Sequence, residues 1–152
     1  MIAHDLLAIL QHRYCALQQT VALENDFDPW LTTQCVDGSW PDINYSDKDL
    51  PNWGHWTHVN RLAQLARIFT RQGHRLAEDP AILHVILSGI DHWLQQQYEV
   101  TNWWENGIGI PRELIVVARL LESKLDTTRW EGVLSVLDQA GVPTKTKDGV
   151  CF

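Results

Sequence analysis

The segment Asn102-Trp103-Trp104-Glu105-Asn106-Gly107-Ile108-Gly109-Ile110-Pro111 carries the residue types best suited to holding a flat, hydroxylated ligand. Two adjacent indoles in a connecting segment do not both turn easily into one core, so at least one is expected to face a cleft. An indole offers a broad apolar face and one N–H donor, a combination that suits the apolar side of a pyranose ring. Asn102 adds an amide that both donates and accepts hydrogen bonds. Gly107 and Gly109 permit backbone conformations that bulkier residues resist. The competing interpretation is a packed corner, with the indoles serving only as core.

Other groups with chemical potential are scattered. His55 and His58 stand three apart at the start of a helix, on one face, and with Asp42 or Asp47 come nearest to a metal-ligand set. No further ligand follows at a recognisable interval, so capping and packing are the expected roles and no metal is assigned. His84 and His92 stand at no catalytic spacing and are expected to be structural. Asp37, Asp42 and Glu105 are conceivable partners for acid–base work of the kind that cleaves glycosides, but no separation follows from their spacing. Tyr45 and Tyr98 are candidate proton donors with no base marked beside either. Arg61 and Arg112 suit anionic sugars, with helix-surface ion pairs as the alternative. No catalytic residue is assigned.

Eight tryptophans in 152 residues add weight to a carbohydrate ligand, because indoles are favoured where flat apolar surfaces must be held. The net charge of −7 argues against nucleic acid. It also opposes a polyanionic ligand unless a basic groove exists locally. Eight arginines against four lysines leave room for one, since the guanidinium clamps carboxylates and sulfates at two points. Cys15, Cys35 and Cys151 are odd in number and widely spaced, giving neither a disulfide framework nor a zinc signature. No apolar run reaches membrane-spanning length, and no membrane partner is expected. Met1 to Ile9 lacks a basic n-region and a small-residue cleavage site, so no signal peptide is visible.

The elements that must position these groups are helices. Ala3, Leu6, Leu7, Leu10, Tyr14, Leu17 and Val21 fall three or four apart and predict a one-sided helix over about 2–21. A non-periodic stretch from Glu24 to about Asn52 reads as a long, functional or self-packed loop. Trp56, Val59, Leu62, Ala63, Ala66 and Phe69 predict a second helix closing near Gly73. Asp79 and Pro80 are a cap and a first-turn proline opening a third, through Ile82, Val85, Ile86, Ile90, Trp93 and Leu94. Pro111 is expected to open a fourth, through Leu114 to Val117, Leu120 and Leu121, apolar nearly all round and so buried. Thr128 and Glu131 have capping-box spacing for a fifth, which Gly141 and Pro143 would stop. The polar tail, Thr144 to Phe152, ends without a closing element. The expected class is all-α, a single helical domain over 1–152 built from antiparallel helical hairpins.

Asn102-Trp103-Trp104 followed by Ile108-Gly109-Ile110-Pro111 resembles the signature of polysaccharide lyase family eight, which includes hyaluronate, chondroitin AC and xanthan lyases. Asp37 through Tyr45 resembles that family's first loop, and Trp53 through His58 with Arg61 resembles the lead into its next helix. The likeness runs over roughly 34–121, in order. It implies the N-terminal part of an incomplete α/α toroid, with the catalytic half and large β-sandwich domains absent from these residues. It also implies an aromatic patch made by Trp103 and Trp104 beside Asn102. Arg112 and Trp40 are expected as lesser substrate contacts. Family members cleave uronic-acid-containing polysaccharides by β-elimination, using an Asn to neutralise the uronate, a His or Tyr base and a Tyr acid, without a required metal or cofactor. Those catalytic residues lie downstream in the family, and nothing after Pro143 resembles them. The chain is therefore expected to bind an acidic polysaccharide, weakly on its own, and not to cleave it. A secreted or periplasmic location is implied by the resemblance alone.

Two alternatives stand beside this. Gln34-Cys35-Val36-Asp37-Gly38-Ser39-Trp40 matches the Gln-x-x-x-Gly-x-Trp pattern of terpenoid cyclases, whose toroids use it to tie helix ends together. No Asp-rich ionisation motif accompanies it. The other is a non-catalytic helical scaffold whose tryptophans only pack.

Overall fold

In a computed structural model of the chain, residues 2–23, 26–49, 53–98 and 100–140 are described. All regular structure among them is helical: α1 (Ile2–Thr20), α2 (Asp28–Thr33), α3 (Gly54–Thr70), α4 (Pro80–Gln96), α5 (Ile110–Leu120) and α6 (Thr127–Gln139), with a π-helical turn at Glu105–Gly109. The three-to-four spacing translates directly into burial along α3, where Val59, Leu62, Ala63, Ala66 and Phe69 all face inward. The start of α4 lies where its signal placed it. Asp79 Oδ1 accepts from the Ala81 N–H at 2.8 Å, and Pro80 occupies the first turn, where a missing N–H is no loss.

α3 and α5 pack along each other at the centre, with α4 against α3, α6 against α4 and α5, and α1 against α3 and α5. The nine-residue connection between α3 and α4, two helices in contact, makes a hairpin of them. The core runs from Trp40 through Leu62, Leu65, Ile86 and Ile90 to Leu114, Val117, Leu121 and Val133. As its composition demands, α5 is buried on most sides; only Arg112 and Ile115 of its residues are exposed. One buried ion pair, Arg67 to Glu113 at 3.5 Å, joins α3 to α5.

Three expectations about the elements need correction. The stretch from Glu24 to Asn52 contains α2, six residues long with Pro29 in its first turn, too short to show a helical period. The fifth expected helix, α6, begins at Thr127 and not at Thr128: Asp126 Oδ1 takes the Arg129 N–H at 2.9 Å, a carboxylate displacing the hydroxyl cap. The segment read as a loop before Pro111 is helical from Trp103 onward. Gly141, Pro143, Cys151 and the tail lie outside the described residues.

Candidate functional site

The chain enters the tryptophan segment through a cap. Asn102 Oδ1 accepts from the backbone N–H of Trp104 at 3.0 Å and of Glu105 at 3.4 Å, satisfying donors that a helix start leaves open. The next turn widens: the Ile110 N–H reaches back to the Glu105 carbonyl, the five-residue closure of a π-turn, before α5 continues with ordinary geometry. Such turns insert one extra residue and swing the side chains around them, and they occur often at functional sites. The spacing of Asn102 three residues ahead of Glu105 is a signal that would have marked this helix start, and the sequence reading missed it. The Glu105 side chain, however, makes no reciprocal bond to complete a capping box.

The two indoles divide their roles. Trp103 is 74% exposed and stands off the surface. Trp104 is half-buried, its ring edge-to-face with Trp53 at 5.4 Å and with Trp56 at 6.4 Å. Trp53, itself 45% exposed, extends the aromatic surface from the start of α3. It was quoted in the sequence resemblance but not recognised as a member of the patch. Arg112 lies beside this surface, Cζ 6.0 Å from the Trp104 ring centroid, at a distance where a cation is attracted to an indole face. Its Nε and Nη2 both donate to Glu113 Oε1, at 3.1 and 2.8 Å. Because Glu113 is buried and also paired with Arg67, the Arg112 guanidinium is tethered while its side chain remains 57% exposed. One cation is thereby fixed at the edge of an aromatic platform in an otherwise acidic chain.

Trp40, expected as a lesser contact, is 1% exposed. Its Nε1 donates to the Trp30 carbonyl at 2.9 Å, and the Arg61 guanidinium lies 5.4 Å from its ring and from that of Trp30. A ring so enclosed has no face for a ligand, and its role is to hold the 34–45 loop on α3. Arg61 is likewise spent: it grips Asp42 through two hydrogen bonds, at 2.9 and 2.5 Å. That grip holds the Asp42 carboxyl below its usual range, and the Ser39 hydroxyl and amide do the same for Asp37, so neither is a proton donor at neutral pH. Gln34 donates to the carbonyls of Val85 on α4 and Gly38. Gly38, at φ +85°, presses against α4 so closely that a Cβ would meet Ser88 O at 2.1 Å. The Gln-x-x-x-Gly-x-Trp spacing thus describes a fastening of loop to helix.

The histidines and tyrosines form an interior network. His58 Nε2 lies 2.9 Å from the Gly89 carbonyl, an acceptor only, so that nitrogen carries the proton. Nδ1 then accepts from the Tyr45 hydroxyl at 2.9 Å, and Tyr45 in turn accepts from the Trp40 N–H. The same logic sets His92: Nδ1–H donates to the Asp37 carbonyl at 3.0 Å, and Nε2 accepts from Tyr98 at 2.7 Å. Burial drives the His58 pKa down to about 3 and lowers that of His55, while it raises those of Tyr45 and Tyr98. A ring nitrogen therefore does stand beside each tyrosine, contrary to the sequence expectation, and accepts a hydrogen bond from its phenol; Tyr45 so ties the loop to α3, and His92 ties it to α4 through the Asp37 carbonyl. No cluster of His, Cys, Asp and Glu with metal-binding geometry occurs among the described residues. Glu105 has no exposed surface and neither oxygen has a hydrogen-bond partner there; burial pushes its carboxyl up.

A helical wall with an aromatic turn open at one end has known relatives. The family model described as polysaccharide lyase family 8, N terminal alpha-helical domain, matches residues 15–148, and the chain belongs to that family. Chondroitinase-AC of Pedobacter heparinus is 26% identical over 99 residues, 63% of this chain and 14% of that protein. A chondroitinase AC lyase structure described from enzyme–oligosaccharide complexes aligns with TM-score 0.75 and 24% identity, over 91% of this chain and 21% of its own. The chondroitin AC lyase of Streptomyces coelicolor A3, solved in complex with chondroitin sulphate, gives 0.70 and 22%, over 93% and 22%. The xanthan lyase of Paenibacillus gives 0.71 and 20%, over 94% and 16%. The fold is that of the α/α toroid, and the chain spans 14% to 22% of the length of these relatives.

Proposed function

We propose that this chain is the N-terminal toroid segment of a lyase that cleaves a uronic-acid-containing polysaccharide by β-elimination, and that it supplies the surface on which the sugar chain is stacked. Trp103 is the main stacking face. Trp104 and Trp53 brace it, Arg112 offers the cation that an acidic polymer needs, and Asn102 sets the turn. Because its Oδ1 is committed to the cap, only the Asn102 NH₂ group is left to meet a ligand acceptor. The observation that carries this proposal is the 74% exposure of Trp103 next to Trp104, whose ring packs edge-to-face with that of the 45% exposed Trp53. A large aromatic ring left in water is costly unless something covers it. In the reaction, a group that neutralises the uronate carboxylate acidifies the C5 proton, a base removes it, and the glycosidic oxygen leaves protonated as the C4–C5 double bond forms. Those groups belong to other parts of the whole enzyme; the residues here bind and orient. A secreted or periplasmic setting fits a polymeric substrate, and among the described residues no helix is long and apolar enough to cross a membrane.

The test is tryptophan fluorescence of the chain titrated with uronic-acid oligosaccharides, alongside turnover of the longer enzyme followed by the ultraviolet absorbance of its unsaturated product. Trp103→Ala should abolish the fluorescence response and raise KM. A response and a KM unchanged in the W103A/W104A double variant would overturn the assignment. Farnesyl-type ligands should leave the fluorescence untouched.

A further inference from the structure

Arg112 is held at the platform by a chain of side chains that reaches through the helical core. Gln18 Oε1 on α1 accepts from Arg67 Nε on α3 at 3.0 Å, and Arg67 Nη2 lies 3.5 Å from Glu113 Oε2 on α5. The other oxygen of Glu113, Oε1, accepts from both Nε and Nη2 of Arg112. Arg67 and Glu113 are buried, so Arg112 is the one member of this ion triad with a side chain open to solvent. Two arginines against one carboxylate leave one positive charge over, and it stands beside the Trp104 ring. An exposed arginine stays charged without a buried partner. Burying Glu113 to meet it costs desolvation, and what the arrangement yields is a fixed direction for the guanidinium.

We infer that Glu113, backed by Arg67, is a positioning residue that aims Arg112 at the carboxylate of a uronate stacked on the platform. A guanidinium carries five N–H donors in a rigid plane. Glu113 occupies the side formed by Nε and Nη2. What remains is the end of the plane, the Nη1 hydrogens and the second hydrogen of Nη2, with no partner among the described residues. That end is a two-pronged fork matching the two oxygens of a planar carboxylate. Because the plane is fixed in advance, a carboxylate that meets it does not have to immobilise a freely rotating side chain, which is where an untethered arginine loses affinity. A lysine would carry the charge but not both tasks, since its ammonium is a point charge without a second, planar face. The identity of the ligand rests on the function proposed above; the aim of the guanidinium rests on the triad alone.

The experiment titrates the 152-residue chain with an unsulfated chondroitin tetrasaccharide and with its carboxyl-reduced counterpart, followed by tryptophan fluorescence. Heteronuclear NMR reads the exchange of the Arg112 Nε–H without ligand. The native chain should prefer the uronate form about tenfold, with its Arg112 Nε–H protected. Arg67→Met combined with Glu113→Leu removes the buried pair together and leaves no unpaired charge in the core. In that variant the two tetrasaccharides should bind alike and the protection should be lost. Arg112→Lys keeps the core pair and the charge, and it should lose most of the preference as well; being at the surface, it decides even if the double variant does not fold. R112K as selective as the native chain, an R67M/E113L variant that keeps the preference, or a native Arg112 Nε–H that exchanges freely would each overturn the inference. Failure of the proposed function shows differently: neither tetrasaccharide would perturb the fluorescence, which overturns the ligand assigned to Arg112, while the Nε–H signal still reports whether Glu113 holds it.

Discussion

Gly109 stands directly beneath the ring of Trp104: a Cβ added to it would lie 2.4 Å from Cζ3 of that ring and 2.9 Å from Cδ1 of Trp56. Its φ of −64° is ordinary helical backbone, so glycine is required here for space and not for conformational freedom. Gly107, two residues earlier, has nothing within 4 Å of the same added atom. The two glycines therefore predict opposite outcomes. Gly109→Ala should push Trp104 off its seat, lowering stability by about 1–3 kcal/mol and weakening sugar binding. Gly107→Ala should be neutral or stabilising by up to about 1 kcal/mol, through the entropy of the unfolded chain. Urea midpoints for the two variants check this; equal effects would refute the close-approach explanation.

The paired indoles should likewise separate binding from stability. Trp103 touches little of the protein, so Trp103→Ala should shift the unfolding free energy by no more than about 0.5 kcal/mol while removing the oligosaccharide response. Trp104 packs against Trp53 and Trp56, and Trp104→Ala should cost about 1–3 kcal/mol as well as affinity. Thermal unfolding beside fluorescence titration tells these apart. Comparable stability losses in both variants would mean that Trp103 is packed in solution.

Much of this was legible because it is local. The four longer helices after α1 and before the tail announce themselves by period, and Asp79-Pro80 marked its helix start to the residue. Exposure of one of two adjacent indoles follows from the geometry of a short segment. What escaped depends on distant partners. Trp40 is buried by a carbonyl ten residues away and by Arg61, and His92 is oriented by a carbonyl fifty-five residues away. The π-turn gives no compositional signal, and the close approach of Gly109 to the rings of Trp104 and of Trp56 on α3 is a tertiary contact. At α6 two capping residues competed, and only the backbone path decides between Asp126 and Thr128.

His58 makes the fold sensitive to acid. Its folded pKa of about 3 lies well below the ordinary value of 6.5, because protonation would strand a charge in the core and break the bond from Tyr45. Between those values the unfolded chain binds a proton that the folded chain refuses. The stability from the neutral ring is complete above about pH 6.5 and drains as pH falls, at up to ~1.4 kcal/mol per unit. His55, shifted the same way by burial, adds to the slope. Urea denaturation at about pH 7.5 and about pH 5 should show this loss, and His58→Gln should shrink it while costing stability at both. A slope unaltered in the variant would assign the acid sensitivity elsewhere.

Glu105 works in the opposite sense. Its carboxyl is fully buried beside the platform, without a hydrogen-bond partner among the described residues, and burial raises its pKa. A raised carboxyl favours the protonated fold, so the stability it contributes is whole below the ordinary carboxylate range and is lost as pH climbs toward the folded value. At neutral pH the group then opposes folding of the very turn whose carbonyl closes on Ile110. Glu105→Gln keeps the volume and removes the titration. It should raise the unfolding free energy at neutral pH, by roughly 1–3 kcal/mol, and bring little gain at about pH 4, where the native carboxyl is already protonated. Because the turn carries Trp104, its fluorescence should also lose pH dependence in the variant. A Gln variant less stable than the native chain at neutral pH would show instead that the carboxylate is ionised and held by a compensating charge.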